Sequence, residues 1–340
     1  MDFKKKLIIY GSILVGLAVL FAVGTIVQAL SLEPQGQKVF AQLKTDAVEK
    51  IEVTDRTGKL EIAKGAGQNG AWQILAGGKQ YDASKSAVDG LLANFADVRK
   101  LDVVTGNKDN WPSFNVDDAN AVHIVLAGAG GAALAECWFG KGGATSFSQY
   151  VRLPGSPDVI QTDLRVEKTA LLKDWVERRL FGAGFYVDDV ERVLVKTSLV
   201  FGGDAKPAVQ HLAYTLVPGD KNKEGYTTWK LAENEKLPLA PQKVSTFVNA
   251  MAGFTGDDVV QDPEELKLDP SRALGSIVVR LKKGQSYTLY LLGRAAGDPN
   301  TFYVTNQDDK YVYTSNNWSL QGLFGGANEI IDTTALLAPR

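Results

Sequence analysis

Val88-Asp89-Gly90-Leu91-Leu92-Ala93-Asn94-Phe95-Ala96-Asp97-Val98 sets Val88, Leu91, Leu92, Phe95 and Val98 at helical spacing, with Ser84 placed to cap the start. The same spacing returns at Val244, Phe247, Val248, Met251 and Phe254, at one constant offset. Val103-Val104 then maps onto Val259-Val260. At a slightly shorter offset Asp117 maps onto Asp269, Phe139-Gly140-Lys141 onto Leu292-Gly293-Arg294, and Tyr150-Val151 onto Tyr303-Val304. Upstream, residues 192–196 resemble 50–53, and Trp229-Lys230-Leu231 resembles Trp72-Gln73-Ile74. An offset held through a helix and kept in order across several strands marks two copies of one module.

Around the first helix, short runs of alternating or β-branched residues predict strands at 50–53, 60–63, 72–75, 101–104, 121–126, 134–139, 149–153 and 159–161. Gly128-Ala129-Gly130-Gly131 reads as a hairpin turn. Leu171, Leu172, Trp175, Val176 and Leu180 predict a further helix over 167–181, stopped by Gly182 and Gly184. Strands, one helix, then more strands make an α+β module: a mostly antiparallel sheet with a helix packed on one face. The early-strand tryptophan is expected beneath that helix.

Ahead of the modules, residues 7–30 carry no charge and follow Lys4, Lys5 and Lys6. A helix of roughly 20 apolar residues spans a bilayer core. Flanking lysines keep the N-terminus cytoplasmic. The expectation is a signal anchor: a single-pass bacterial inner-membrane protein whose remainder is periplasmic. The rival is a cleaved signal peptide, since Val27-Gln28-Ala29 offers small residues, but the apolar run exceeds a usual h-region of roughly 7–15 residues. Gly11, Ala18, Ala22, Thr25 and Ala29 share one face of the span, with Ser12 and Gly16 beside it. Small residues of this kind let helices pack closely in lipid. The domain reading is therefore an anchor over 1–31, a stalk over 32–46, one module over 47–184 and a second over 185–340.

The 340-residue chain carries a net charge of −2 and one cysteine, Cys137. Near-neutral charge gives no electrostatic footprint for nucleic acid. A single cysteine excludes an intramolecular disulfide, and Cys137, inside a strand, reads as a buried small hydrophobe.

The order of these features resembles a known family. The N-terminal anchor is followed by Trp72 and the Val88/Leu91/Leu92/Phe95 helix. Trp111-Pro112-Ser113-Phe114-Asn115-Val116-Asp117, Phe139-Gly140-Lys141, Tyr150-Val151 and Val159-Ile160 come after. Together they look like domain-of-unknown-function family 4340. Members of that family are bacterial, membrane-anchored and often duplicated, and are encoded beside gliding-motility-type ABC transporters. In the second copy Glu265-Leu266-Lys267-Leu268-Asp269 departs from the pattern. The resemblance implies an ABC transporter permease or auxiliary subunit as partner and carries over no catalytic residue.

The residues themselves offer little for catalysis. The two histidines, His123 and His211, occupy non-equivalent positions of the repeat. His123 is expected near Glu136 and diagonal to Cys137 across the hairpin. Successive strand residues alternate faces, so Glu136 and Cys137 cannot serve one ion. Gly-x-Ser-x-Gly is absent from the sequence. Gly140-Lys141-Gly142-Gly143-Ala144-Thr145-Ser146 lacks the order and following helix of a phosphate loop. Asp188-Asp189 and Asp257-Asp258 read as solvated turn residues rather than an acid–base pair, and Asp117 and Asp269 as duplicated turn or cap residues. The sequence thus predicts no catalytic residue, no cofactor and no metal site. The expected function is a non-enzymatic extracytoplasmic accessory or scaffold protein of the transporter. The alternative is a periplasmic binding module for an envelope glycan, lipid or peptide, and more remotely an envelope hydrolase.

Overall fold

A computed structural model describes residues 36–65, 70–182, 184–202, 205–308, 310–325 and 329–332. The anchor run and its Gly11/Ala18/Ala22/Thr25/Ala29 face lie outside the described residues. Among the described residues no helix is long and apolar enough to cross a membrane.

In chain order the first strands are β1 (Gln37–Lys38), β2 (Lys50–Asp55), β3 (Gly58–Lys64), β4 (Trp72–Ala76) and β5 (Lys79–Asp82). Helix α1 (Lys85–Asp97), β6 (Arg99–Thr105) and the short helix α2 (Trp111–Phe114) follow. The half closes with β7 (Val122–Ala127), β8 (Ala133–Gly142), β9 (Gln149–Arg152) and β10 (Val159–Thr162). The second half holds β11 (Val190–Gly202), β12 (Ala205–Lys221), β13 (Thr227–Leu231), α3 (Pro241–Ala252) and β14 (Asp258–Val259). It ends with β15 (Gly275–Leu281), β16 (Ser286–Arg294), β17 (Thr301–Asn306), β18 (Tyr313–Asn316) and α4 (Asn317–Phe324).

The described residues divide into two compact units, one within 36–64 and 86–170, the other within 65–85 and 171–332. Within the first, the antiparallel strands run β6-β10-β9-β8-β7-β2-β3; within the second, β14-β18-β17-β16-β15-β11-β12. The two orders match strand for strand, so the duplication read in the sequence is a duplication of topology.

The cores follow the strand alternation. Ile51, Val53, Ile62, Ile124 and Leu126 are buried in the first sheet. They lie in the same unit as Val88, Leu91, Leu92 and Phe95, the buried face of α1. Phe95 meets Phe139 edge-on at 5.4 Å. Burying rings and branched chains of this size contributes about 2–3 kcal/mol each. In the second unit Val244, Val248 and Met251 of α3 are fully buried, as are Val193, Val195, Ile277 and Leu289 of the sheet. Phe247, expected on that face, is only half-buried. The buried stripe of α3 is narrower than the sequence spacing indicates, and Phe247 turns toward a groove. Trp229 is buried as expected, whereas Trp72 is only half-buried.

The helix expected over 167–181 does not form. One short 3-10 turn, Leu172–Asp174, occurs there. The flanking backbone is bonded elsewhere: Trp175 accepts from Ser84 N at 2.6 Å, Glu177 N donates to Asp82 at 3.2 Å, and Leu180 N donates to Phe254 at 3.2 Å. Isolated bridges join Ala83 to Val176 and Arg179 to Thr255. An extended chain with partners on both sides buries Leu172, Trp175, Val176, Leu180 and Phe181 as well as a helix would. Tertiary hydrogen bonds therefore overrode the helical spacing. The β4–β5 hairpin belongs to the same unit. Lys79 reaches Asp262 at 3.0 Å, and Tyr81 packs on Tyr311 at 5.6 Å.

Candidate functional site

On the first sheet, strands β7, β8 and β9 bring His123, Trp138 and Arg152 into one row: His123 opposes Trp138, and Trp138 opposes Arg152. The His123 ring stacks on Trp138 at 4.1 Å and 9°. The Arg152 guanidinium lies 3.8 Å from the Trp138 centroid and 4.2 Å from that of Trp111. The cation thus lies against two tryptophan rings, one of which also stacks on the histidine.

The Trp111–Asp117 stretch supplies the outer wall. Pro112 sits in the first turn of α2, and Asn115 ends it in the left-handed region at φ 55°. This turn aims the Val116 carbonyl at the sheet, where Arg152 Nε donates to it at 2.9 Å. Arg152 Nη2 donates to Asp118 at 2.5 Å, and Trp111 Nε1 donates to the Pro157 carbonyl at 2.9 Å. Phe114 meets Tyr150 edge-on at 4.8 Å. Gly140 is required below: a Cβ there would lie 2.2 Å from the Phe114 carbonyl oxygen. Three sequence stretches far apart in the chain are therefore the parts of one contact.

His123 Nε2 lies 2.9 Å from Glu136 Oε1. Glu136 is diagonal to His123, while the direct partner is Trp138, which the sequence reading had not placed there. Cys137 faces the core at 1 % exposure, and burial pushes its thiol well up from the ordinary range. A thiol held neutral and buried is a poor nucleophile or ligand. Among the described residues no group of His, Cys, Asp and Glu is placed to hold a metal ion.

The other candidates are tied into turns. Gly143 to Ser148 close on themselves, with Gly143 N donating to the Ser148 carbonyl at 2.8 Å and Thr145 N to Ser148 Oγ at 2.9 Å. Asp188 accepts from Lys221 at 2.7 Å and Thr227 at 3.1 Å, and the Lys221 hydrogen bond holds its carboxyl below the usual range. Asp257 accepts from Asn316 at 2.8 Å, and Asp258 from Val259 N at 2.8 Å. Asp117 accepts from Asn120, and Asp269 from Ser271 N at 2.8 Å. His211 is exposed on β12.

The second copy keeps the turn but loses the row. Lys267 takes the left-handed place of Asn115 at φ 49°. Strand pairing sets Ser276 opposite Tyr290, where the first copy has His123 opposite Trp138. The scaffold is duplicated, and among the described residues the row of His123, Trp138 and Arg152 belongs to the first copy, while the second carries Arg294 over Phe302 at 5.3 Å.

The second unit holds a groove of ≈ 480 Å³ between α3 and α4, lined by Tyr214, Lys243, Phe247, Ala250, Gly322 and Glu329 among others. Nothing in the sequence reading singled it out, because its wall comes from helix α4 and from β12, which are distant in the chain.

A family model described as a domain of unknown function (DUF4340) matches residues 72–211 and 229–339. Both matched segments begin at the tryptophans that the repeat aligns, Trp72 and Trp229. No curated protein matches the chain.

Proposed function

The chain belongs to the DUF4340 family, and from that premise we propose that it is a membrane-anchored, extracytoplasmic accessory protein that holds partners of a gliding-motility-type ABC transporter without turning over a substrate. The observation that carries this reading is the display of large apolar side chains on both modules. Phe147 is 78 % exposed in the first unit, and Tyr186, Val209 and Trp318 are 80 %, 79 % and 62 % exposed in the second. Aromatic residues are enriched at protein interfaces. The uncharged run over 7–30 behind Lys4–Lys6 supports the anchor, with the N-terminus in the cytoplasm and the modules in the periplasm.

Purification of the native complex from membranes tests the proposal. Transporter permease or auxiliary subunits should copurify in fixed ratio, and the protein should stay in the membrane fraction after carbonate washing. Ala18→Leu with Ala22→Leu should weaken copurification by blocking close helix approach. The combined variant His123→Ala, His211→Ala, Cys137→Ala should keep function. Its loss, with stability and partner binding intact, would reveal a chemical role and end the scaffold reading. The groove between α3 and α4 favours a second reading, a binding module for an envelope glycan, lipid or peptide.

A further inference from the structure

The groove of the second unit has an apolar floor and an unfinished rim. Phe247, Ala250 and Ile330 line it, and Gly322 and Gly325 of the α4 side leave it wide. Tyr214 lines it too. Only 8 % of this residue is exposed, and its hydroxyl has no hydrogen-bond partner among the described residues. The hydroxyl is not sealed off from water, so it opens on the groove, where an acceptor can take its hydrogen bond. Burial, then the nearby Glu329 carboxylate, pushes this phenol far above its ordinary range, so it stays a donor.

Two opposite charges stand on the same groove. Lys243 has no ion-pair or hydrogen-bond partner among the described residues, and Glu329 receives only a long hydrogen bond from Gln321 at 3.4 Å. The two do not pair with each other, so each can take a ligand charge of opposite sign. The remaining polar lining is Gln242 and Thr246, and the Thr246 hydroxyl is already used on the Gln242 carbonyl at 3.0 Å.

We propose that this groove binds a single-chain zwitterionic amphiphile. Its apolar chain lies over Phe247, Ala250 and Ile330, its anionic group meets Lys243 and the Tyr214 hydroxyl, and its cationic group meets Glu329. The inference stands apart from the transporter reading: either can fail alone, because complex purification tests one and ligand labelling the other.

The probe is a single-chain phosphoethanolamine lipid with a photoactivatable diazirine in its chain, added to the full chain in amphipol. Labelling is expected within 241–252, 317–325 and 329–330, and unlabelled probe should compete it away. Gly322→Leu fills the groove without a clash, since a Cβ at 322 meets only the Ala250 Cβ, at 4.0 Å. That variant should lose labelling by about tenfold, the equivalent of about 1.4 kcal/mol, with unchanged thermal unfolding. Tyr214→Phe should weaken labelling, and Glu329→Gln should turn the preference toward dodecyl sulfate as competitor. Labelling that ignores Gly322→Leu, or that falls mainly elsewhere, would overturn the site. Equal competition by dodecyl sulfate and by the zwitterionic probe in the unmodified chain would overturn the ligand class.

Discussion

Arg152 lies with its guanidinium 3.8 Å from the centre of Trp138, on the strand opposite to the one that stacks His123 on that ring. The cation is desolvated, with its side chain 9 % exposed, while its carboxylate partner Asp118 is 83 % exposed. The two halves of this ion pair therefore differ in worth. Arg152→Lys keeps the charge but loses the flat stacking surface and the Nε donor to Val116. It is expected to cost about 2 kcal/mol, whereas Asp118→Ala should cost less than about 1 kcal/mol. Urea unfolding followed by tryptophan fluorescence measures both. Equal costs would show that the pair, rather than the stack, fixes Arg152.

Gly140 and Gly293 hold matched places in the two copies but face different neighbours. A Cβ at 140 would lie 2.2 Å from the Phe114 carbonyl and 2.7 Å from Val116 Cγ1, while at 293 the nearest atom is a Leu268 methyl at 3.8 Å. Gly140→Ala is expected to destabilise by about 2–3 kcal/mol and Gly293→Ala by less than about 1 kcal/mol. Parallel urea titrations of the two variants decide it.

The outer edge of β12 is guarded. β13 pairs with β12 only from Leu216 to Lys221, so the earlier part of β12 has β11 on one side and no strand on the other among the described residues. Its register slips twice against β11, between Thr197 and Leu199 and between Val200 and Gly202, and it carries Lys206 and Pro207. Bulges, lysine and proline each disfavour further strand pairing. Lys206→Thr with Pro207→Val should raise self-association in sedimentation at increasing concentration. A variant as monodisperse as the parent would show that the bulges alone suffice.

Asp55 accepts from Thr57 N at 2.7 Å, Thr57 Oγ1 at 2.5 Å and Ala170 N at 2.8 Å. Partial burial pushes its carboxyl up, but these hydrogen bonds, led by the Thr57 hydroxyl, hold it below the usual range. The folded chain thus binds this proton less readily than the unfolded chain. The stabilisation is present above an unfolded value of about 3.9 and is lost as pH falls through the lower folded value. Asp55→Asn should cost about 1–2 kcal/mol near neutral pH, and the gap to the parent should shrink below about pH 4. A gap that stays constant to about pH 2 would mean that the ionised form contributes nothing.

The repeat was legible because it is written in periodicity. The buried faces of α1 and α3 and the β7–β8 hairpin rest on alternation and spacing, which are local properties of the chain. Residues 167–181 were misread because their apolar spacing suits a buried extended chain as well as a helix, and only partners at Asp82, Ser84 and Phe254 decide between them. Likewise, Trp111, Trp138 and Arg152 were visible as residues, but their stacking depends on which strands lie side by side. Tyr214, Phe247 and Gly322 meet at one groove for the same reason. Sequence by itself determined the periodic elements, α1, α3 and the strands around them, and that they form twice. Tertiary structure alone decided which side chains share a surface, because that depends on strand order and register, and these are set by bonds between segments far apart in the chain.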